Sequence, residues 1–328
     1  MLRNLFSRDG APARGGSPFA GLSVVAMKEA ADHMASMRVH LVMLLVTLAG
    51  FSAIFSAIGQ FKLSVGQDQF LFLRLFTTAV APLPSFVGFM GFLLPLVAIA
   101  LAFDAVNGEY NRRTMSRLLA QPLYRDAVLT GKFLGGLIVL AICLLALWLL
   151  MTGLGIVFLG LPPSGEEVLR GVAYLFGCLA YGAVWLAVAL LFSSVLRAPA
   201  TSALAALSLW LVFTIFWPML APGIANVIAP VDPFDIASVV KNAEWQQIMQ
   251  RLSPNTLYGE MTLALMNPET RSLGLVFMDQ YVGAVPGAPL PFGQSGLLVW
   301  PQVSGLIAGV VVLFTLAYVS FQRQEVRS

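Results

Sequence analysis

The chain has 328 residues, of which 58% are hydrophobic and only 11% are charged, and its mean hydropathy is +0.84. Soluble domains carry charge on roughly a quarter of their residues, so this composition excludes an ordinary soluble domain and indicates a membrane protein. The net charge of +3 at pH 7 gives no support to nucleic-acid binding, because its distribution follows membrane topology as described below.

The first twenty residues are positively charged but contain no apolar core, so we expect a disordered cytoplasmic tail and no cleaved signal peptide. Residues 21–38 have the pattern of an amphipathic helix that lies along the membrane interface and enters the first span at an elbow. Its apolar positions are Val24, Met27, Ala31 and Met34, and its polar positions are Lys28, Glu29, Asp32 and Ser36. The alternative is a cytosolic extension of the first span.

Six continuous apolar runs are each long enough to cross a hydrocarbon core of about 30 Å as a helix, which takes roughly 20 residues. They are Val39–Ile58, Ser85–Phe103, Phe133–Leu159, Val172–Leu191, Pro199–Leu220 and Leu297–Phe321. Strands of a membrane barrel would be shorter and would alternate apolar with polar residues. The sequence therefore predicts an all-α polytopic membrane protein with six transmembrane helices.

Residues 104–132, between spans 2 and 3, hold five of the cationic side chains of this apolar chain: Arg112, Arg113, Arg117, Arg125 and Lys132. Within this loop, Met115, Leu118 and Leu119 would form the apolar edge of a short helix that ends at Pro122. Such a helix is typical of an element that docks into a groove of a partner protein. Membrane topology and contact with anionic lipid would account for the arginines, but not for the other residues of this loop. We expect Asp104 to pair with an arginine such as Arg112, or to cap the loop.

The later connections carry helix-start signals. Ser164 is a candidate N-cap for a helix that begins near Glu166, and Pro199 favours a new helix after the short connection between spans 4 and 5. Residues 221–296 predict a small external helical subdomain, with one helix over Asp235–Arg251 and another that starts at Ser253 and Pro254. Cys143 and Cys178 fall inside spans and are expected to be packing residues.

The distribution of Lys and Arg orients the chain. With six spans, thirteen of the nineteen Lys and Arg residues fall on the side of the two termini and of residues 104–132, and six fall on the other side. The excess of cations predicts that both termini are cytoplasmic, as expected for a multi-pass protein of a bacterial inner membrane.

The ordered residues of the loop resemble the signature of type-2 ABC transporter permeases, the ABC-2 exporter family. That signature is an acid, Gly-Glu, a helix ending in Leu-Leu-x-x-Pro, an Arg and a Gly-Lys pair. The matching residues are Asp104, Gly108, Glu109, Thr114, Leu118, Leu119, Pro122, Arg125, Gly131 and Lys132. Lys28 and Glu29 are similar to the Lys-Glu pair of the family's elbow helix, and the whole resembles most the subgroup with the permease of the nitrous-oxide-reductase maturation transporter. The family's usual glycine before the Thr is Arg113 here.

This resemblance implies that residues 104–132 carry a cytoplasmic coupling helix, which docks on a separate ABC ATPase subunit. The residues it assigns to ATPase coupling are Gly108, Glu109, Arg113, Thr114, Met115, Arg117, Leu118, Leu119, Gln121 and Pro122. It also implies a second permease subunit, identical or homologous, and ATP and magnesium bound by the ATPase. The chain has no G-x-x-x-x-G-K-[ST] motif, so we expect it to bind no cofactor and to have no catalytic or metal site.

The sequence therefore predicts the permease subunit of an ATP-driven exporter, in contact with membrane lipid and with a possible periplasmic protein on residues 221–296. Two alternatives stay open at this point. One is a non-transporting membrane scaffold that recruits periplasmic factors, and the other is an ion-coupled secondary carrier.

Overall fold

The structure is a computed structural model that describes residues 21–61, 69–114, 125–232, 234–274 and 289–323, and within these ranges it contains helices and no strand. The helices are α1 (Leu22–Met34), α2 (Met37–Phe61), α3 (Leu71–Thr77), α4 (Phe86–Ala102), α5 (Asn107–Asn111), α6 (Arg125–Leu159), α7 (Gly165–Val195), α8 (Pro199–Leu211), α9 (Trp217–Ile228), α10 (Ile236–Gln250), α11 (Pro254–Met266) and α12 (Phe292–Arg323). A π-helical segment, Val212–Phe216, joins α8 to α9.

Six helical segments of the described chain are long and apolar enough to cross a membrane, which confirms the predicted class and number of spans. They are Met37–Phe61, Phe86–Asn111, Arg125–Leu159, Gly165–Val195, Pro199–Ile228 and Phe292–Arg323, which we call spans 1 to 6. The helices extend beyond the predicted runs; the third begins at Arg125 where the apolar run begins at Phe133. An apolar run marks only the part of a helix within hydrocarbon, and polar turns continue the helix on either side.

We call the end of the bundle that holds Ala102, Arg125 and Val195 the loop end, because residues 104–132 connect spans 2 and 3 there. The opposite end, which holds Phe86, Leu159 and Gly165, is the hairpin end. Spans 2 and 4 are the most buried helices of the bundle, whereas spans 5 and 6 are largely uncovered. The outer face of span 6 leaves Leu297, Trp300 and Val311 exposed.

The predicted helix starts are confirmed by the caps. Ser164 forms a capping box with Glu167, since the Ser164 hydroxyl accepts from the Glu167 amide and the Glu167 carboxylate accepts from the Ser164 amide. Pro199 is in the first turn of α8, and the carboxylate of Asp235 caps α10. The connection between spans 1 and 2 contains the buried helix α3.

The two helices predicted within residues 221–296 are present as α10 and α11, and they form a hairpin whose turn packs against the bundle. At the hairpin turn, the Ser253 hydroxyl donates to the Phe213 carbonyl at 3.1 Å, and Asn255 Oδ1 accepts from Tyr181 at 3.3 Å. Phe213 and Tyr181 are each fourteen residues from the loop-end terminus of their helix, or about 21 Å at 1.5 Å per residue. The hairpin turn therefore lies beside the middle of spans 4 and 5.

Proline residues explain why polar side chains are buried at this depth. Pro95 lies inside α4 and cannot donate to the Gly91 carbonyl, which instead accepts from the Tyr181 hydroxyl at 2.9 Å. In the π-helical segment the Trp217 amide donates to Val212, so the next carbonyl, that of Phe213, would need a donor from Pro218, which has none. The Ser253 hydroxyl supplies it. In hydrocarbon an unpaired carbonyl costs several kcal/mol, so these side chains stabilise kinked spans.

Candidate functional site

The elbow region packs tightly on the loop end of span 3 because two glycines of α6 leave room for α1. A Cβ added at Gly131 would lie 2.6 Å from Val25 Cγ1, and one added at Gly135 would lie 2.7 Å from Glu29 Cβ. Real Cβ atoms do not approach so closely, so only glycine allows this separation between the two helices. The glycine of the Gly-Lys pair thus has a packing role.

A buried ion pair joins the same two helices. Lys132 Nζ lies 2.9 Å from Glu29 Oε1, and the side chains of these residues are only 3% and 9% exposed. Glu29 was assigned to the polar face of the elbow helix, but it lies on the face that packs on α6, with Val25, Ala26 and Ala30. The predicted apolar positions Val24 and Met27 are exposed on a different face, as an interfacial helix requires of residues that contact lipid. The helix thus has a buried face, an exposed apolar face and an exposed polar face. A carboxylate is tolerated on the buried face because Lys132 pairs with it.

Glu109 lies on the other side of the same lysine. Lys132 Nζ is 3.5 Å from Glu109 Oε1, and the Thr114 hydroxyl donates to the Glu109 carboxylate. Lys28 lies 3.5 Å from Glu29 and 2.8 Å from Asp32. Burial acts to lower the pKa of Lys28, but the hydrogen bond that Lys28 donates to Asp32 and the surrounding carboxylates outweigh it, and the pKa is raised. We call Lys28, Glu29, Glu109, Thr114 and Lys132 the lysine cluster.

The backbone beside Thr114 shows why a glycine suits the position that Arg113 occupies in this chain. Arg113 has a φ of +56°, in the left-handed region that glycine adopts readily and that L side chains disfavour. The Thr114 amide donates to the Glu109 carbonyl at 3.0 Å, which turns the chain after α5. The usual glycine at this position fits the turn that the structure shows, and Arg113 makes the same turn at a cost in backbone strain.

Asp104 binds a different arginine from the one expected. Its carboxylate lies 2.9 Å from Arg38 Nη1, and the Arg38 guanidinium lies over the Phe103 ring at 5.1 Å from the centroid. The expected partner Arg112 is exposed at the end of α5. Arg38 begins span 1 beside the loop end of span 2, a proximity between segments 66 residues apart that the sequence does not show.

Span 4 also holds the loop, through residues that the sequence analysis missed. Ser193 Oγ accepts from the Val106 amide at 2.9 Å and from the Asn107 amide at 3.3 Å. The Asn107 side chain in turn donates to the Leu196 carbonyl at 3.1 Å. The signal in the sequence that could have revealed this contact is the pair Ser193 and Ser194, which ends the otherwise apolar run of span 4. We call residues 104–114 the loop stem.

The loop stem is therefore bonded directly to three helices: to α2 through Asp104, to α7 through Ser193, and to α6 through Glu109 and Lys132. Lys132 in turn connects the stem to Glu29 of α1. A force applied to this stem would reach spans 1, 3 and 4 through short polar contacts. Of the predicted coupling residues, the structure brings Gly108, Glu109, Arg113 and Thr114 into this arrangement with Lys28 and Glu29. The others, Met115, Arg117, Leu118, Leu119, Gln121 and Pro122, lie outside the described residues.

The described part of the chain contains no group of three or more His, Cys, Asp or Glu side chains that could hold a metal ion. The two cysteines are buried and unpaired. The lysine cluster combines one buried lysine with two carboxylates, and no nucleophile among the described residues is bonded to it. The lysine cluster therefore connects α1, α6 and the loop stem by ion pairs, and its role is structural.

Six apolar spans, joined at one end of the bundle by a loop stem that is bonded to three of the helices, define a polytopic membrane protein. The chain belongs to the ABC-2 transporter family: the model described as "ABC-2 family transporter protein" matches residues 23–326. It is 27% identical over 255 residues to the probable ABC transporter permease protein NosY of Stutzerimonas stutzeri, a match that covers 76% of this chain and 82% of that protein. It is 35% identical over 150 residues to the protein of the same name from Pseudomonas aeruginosa, which covers 44% of this chain and 52% of that protein.

The chain is thus the transmembrane subunit of an ABC transporter and a multi-pass membrane protein. Its family implies a partner ATPase subunit, since a transmembrane subunit of this kind is usually not itself the ATPase.

Proposed function

We propose that this chain is the permease subunit of an ABC-2 exporter and that residues 104–132 are the place where the partner ATPase docks. The observation that carries the proposal is the bonding of the loop stem to spans 1, 3 and 4 and to the elbow helix. A docking element must be rigidly connected to the transport pathway if nucleotide-driven motion is to reach it. The ATPase would bind ATP and magnesium, and this chain would bind neither.

The geometry supports a division of labour within the loop. Glu109 is already engaged by Thr114 and Lys132, so its role in the proposal is to fix the stem. The contact with the ATPase then falls to the helix predicted at residues 115–122, with Leu118 and Leu119 on its apolar edge and Arg117 beside them. Nucleotide binding would move that helix, and the stem would carry the displacement to the spans.

The orientation that fits this role places the loop end in the cytoplasm of a bacterial cell, with the chain in the inner membrane. The charges support this orientation. Arg38, Arg112, Arg113, Lys132 and Arg197 all belong to loop-end segments, consistent with the positive-inside rule. The hairpin end then faces outward, and movement of substrate toward it is export.

A second permease subunit completes the proposed transporter. Spans 5 and 6 are largely uncovered in the single chain, and the faces of span 5 that carry Leu204, Ile215 and Met219 are exposed and apolar. Such faces require lipid or another helix, and a pathway between two copies would use them. We propose a dimer of two six-span subunits above two ATPase subunits.

The experiment that tests the docking assignment is co-purification of the chain with a co-expressed ABC ATPase subunit from the same organism. Leu118→Asp should abolish recovery of the ATPase, because a carboxylate on the apolar edge would have to be desolvated in the partner's groove. Glu109→Gln should retain the ATPase but lower the turnover that depends on the assembled complex. Arg323→Gln, at an exposed position of the loop end outside residues 104–132, is the control and should behave as the unmodified chain.

Recovery of a stoichiometric, active ATPase with Leu118→Asp would overturn the docking assignment. Loss of the ATPase with Glu109→Gln alone, with the chain still folded, would instead assign the docking contact to Glu109.

A further inference from the structure

Residues 104–132 are bonded to the spans at both of their ends. The loop stem binds span 4 through Asn107 and Leu196, as described above. At the far end of the loop, Asp126 lies in the first turn of α6, and its Oδ1 accepts from the Tyr318 hydroxyl at 2.8 Å and from the Gln322 side chain. Tyr318 and Gln322 belong to the last turns of span 6. The loop therefore holds span 4 with one end and span 6 with the other.

Spans 4 and 6 are themselves locked together at the hairpin end. Arg170 of α7 is fully buried, and its Nη1 donates to Ser295 Oγ at 3.1 Å and to the Leu265 carbonyl at 3.1 Å. Ser295 is in the first turn of α12, and Leu265 is in the last turn of α11. Glu166 neutralises the guanidinium at 2.9 Å. A buried arginine left without these partners would be costly, so the contact holds three helix ends in one place.

The hairpin formed by α10 and α11, which we call the re-entrant hairpin, is bonded to the same two spans. Gln302 of span 6 is 2% exposed, and its Nε2 donates to Glu260 Oε2 at 2.8 Å. Glu260 also accepts from Arg251 at 2.9 Å, across the turn of the hairpin. On the side of span 4, the Tyr174 and Tyr258 hydroxyls are 2.7 Å apart. Burying an ion pair between membrane spans costs free energy, and ionisable residues at such positions commonly have a function. We therefore treat these contacts as functional candidates.

The hairpin also closes the bundle against the remaining spans. The Tyr258 hydroxyl is 2.9 Å from the Val87 carbonyl of span 2, and Ser253 reaches the Phe213 carbonyl of span 5. A shift of spans 4 and 6 along their axes would pull Glu260 and Tyr258 with them, away from spans 2 and 5. Span 4 has no interior proline over its 31 residues, whereas span 6 is interrupted at Pro301. The 22 residues from Gln302 to Arg323 lie on the loop-end side of Pro301, so a displacement at the loop end reaches Gln302 through about 33 Å of uninterrupted helix.

We propose that spans 4 and 6 form a strut that carries motion from residues 104–132 to the re-entrant hairpin, with Asp126 and Gln302 as its positioning residues at the two ends. The strut rests on the proposed function, since it transmits what the ATPase delivers to the loop. Asp126 passes displacement of the loop to span 6, and Gln302 passes displacement of span 6 to Glu260 and the hairpin turn.

The test uses the complex with its ATPase in lipid vesicles and a cysteine reporter on the hairpin turn. Leu252 is 58% exposed and adjoins Ser253, whereas the native Cys143 and Cys178 are buried, so maleimide labels Leu252→Cys selectively. The rate of labelling is measured without nucleotide and with ATP plus vanadate, and the chain without the reporter gives the background. We expect the trapped nucleotide to change the labelling rate severalfold.

Asp126→Ala should abolish this nucleotide response, and Gln302→Leu should do the same from the other end. Asp126→Asn should restore the response, because its amide oxygen can still accept from Tyr318. Thr315→Ala on the exposed face of span 6 is the matched control, since the Thr315 hydroxyl bonds only to its own helix within the described structure. An unchanged response in Asp126→Ala, or in Gln302→Leu, would overturn the strut.

The amount of bound ATPase is measured on each sample, which separates the two proposals. If the unmodified chain recovers no ATPase, the proposed function fails before the strut is tested. If Asp126→Ala loses the ATPase, Asp126 is a docking residue and the strut assignment is overturned. If the ATPase is bound and turns over in Asp126→Ala with a normal hairpin response, the strut fails and the proposed function stands.

Discussion

Lys132 Nζ lies 2.9 Å from Glu29 Oε1, and this buried contact joins helices from segments 103 residues apart in the chain. The lysine also faces Glu109 at 3.5 Å, so one cation lies between two carboxylates at the loop end. Three pairs of residues that match the family are thus parts of one structure: Lys28 with Glu29, Gly108 with Glu109, and Gly131 with Lys132. In each pair the charged residue enters the lysine cluster, and Gly131 allows the elbow helix to approach.

Lys132→Met should be strongly destabilising, because it removes the only cation bonded to both Glu29 and Glu109 within the described structure. Breaking a buried pair by removing one partner costs about 3 kcal/mol or more, since the other charge stays buried. Thermal unfolding in detergent, followed by the reactivity of the buried Cys143 and Cys178, would report the loss. The double variant Lys132→Met with Glu29→Gln should recover part of it, and a double variant no more stable than the single one would contradict the ion-pair account.

Gly135→Ala should separate the elbow helix from span 3. The added Cβ would lie 2.9 Å from the Ala26 carbonyl oxygen and 2.7 Å from Glu29 Cβ, and backbone cannot move aside as a side chain can. Overpacking of this kind costs about 1–3 kcal/mol. Gly153→Ala in the same helix is the control, because a Cβ there meets nothing within 4 Å. It should gain about 0.5–1 kcal/mol from the loss of glycine's flexibility. Equal stability of the two variants would refute the close approach.

Arg113→Gly should stabilise the loop stem. The φ of +56° costs an L residue about 1–2 kcal/mol, and the greater flexibility of glycine in the unfolded chain offsets part of this, so a net gain of up to about 1 kcal/mol is expected. The neighbouring Arg112 has a φ of −82°, so Arg112→Gly gains nothing and should lose stability instead. Thermal unfolding of the two variants side by side measures the difference, and a loss of stability in both would contradict the assignment of strain.

Much of the fold follows from the sequence, for reasons that particular segments make clear. Hydrophobic runs predict the spans because the hydrocarbon core acts on every residue in them, and Ser164, Pro199 and Asp235 mark helix starts because capping is local. The partner of Asp104 and the burial of Glu29 could not be predicted, because both depend on segments far apart in sequence. The re-entrant turn was missed for the same reason: its polar residues satisfy carbonyls freed by Pro95 and Pro218 in other spans.

The stability of the chain should fall in mildly acidic solution through His33 of the elbow helix. Burial lowers the pKa of His33 below 6.5, and Lys132 and Arg38 nearby act in the same direction, whereas Glu29 and Asp104 oppose them. The folded chain therefore binds fewer protons than the unfolded chain, and the stability present above pH 6.5 is lost as the pH falls below it. His33→Gln should show a smaller fall in melting temperature between pH 7.5 and pH 5.5 than the unmodified chain. An identical fall in both would show that other groups govern the acid response.

Tyr181→Phe should be destabilising only because Pro95 is present. The Tyr181 hydroxyl donates to the Gly91 carbonyl that Pro95 leaves unpaired, and a buried acceptor without a donor costs about 1–3 kcal/mol. In a Pro95→Ala background the residue 95 amide can donate to Gly91 within the helix, so the same tyrosine substitution should cost much less. The four chains form a double-mutant cycle, in which melting temperatures measured in one detergent give the coupling between the two positions. Additive effects would mean that Tyr181 acts through its 3.3 Å contact with Asn255 or through packing, and that the kink in span 2 is tolerated without it.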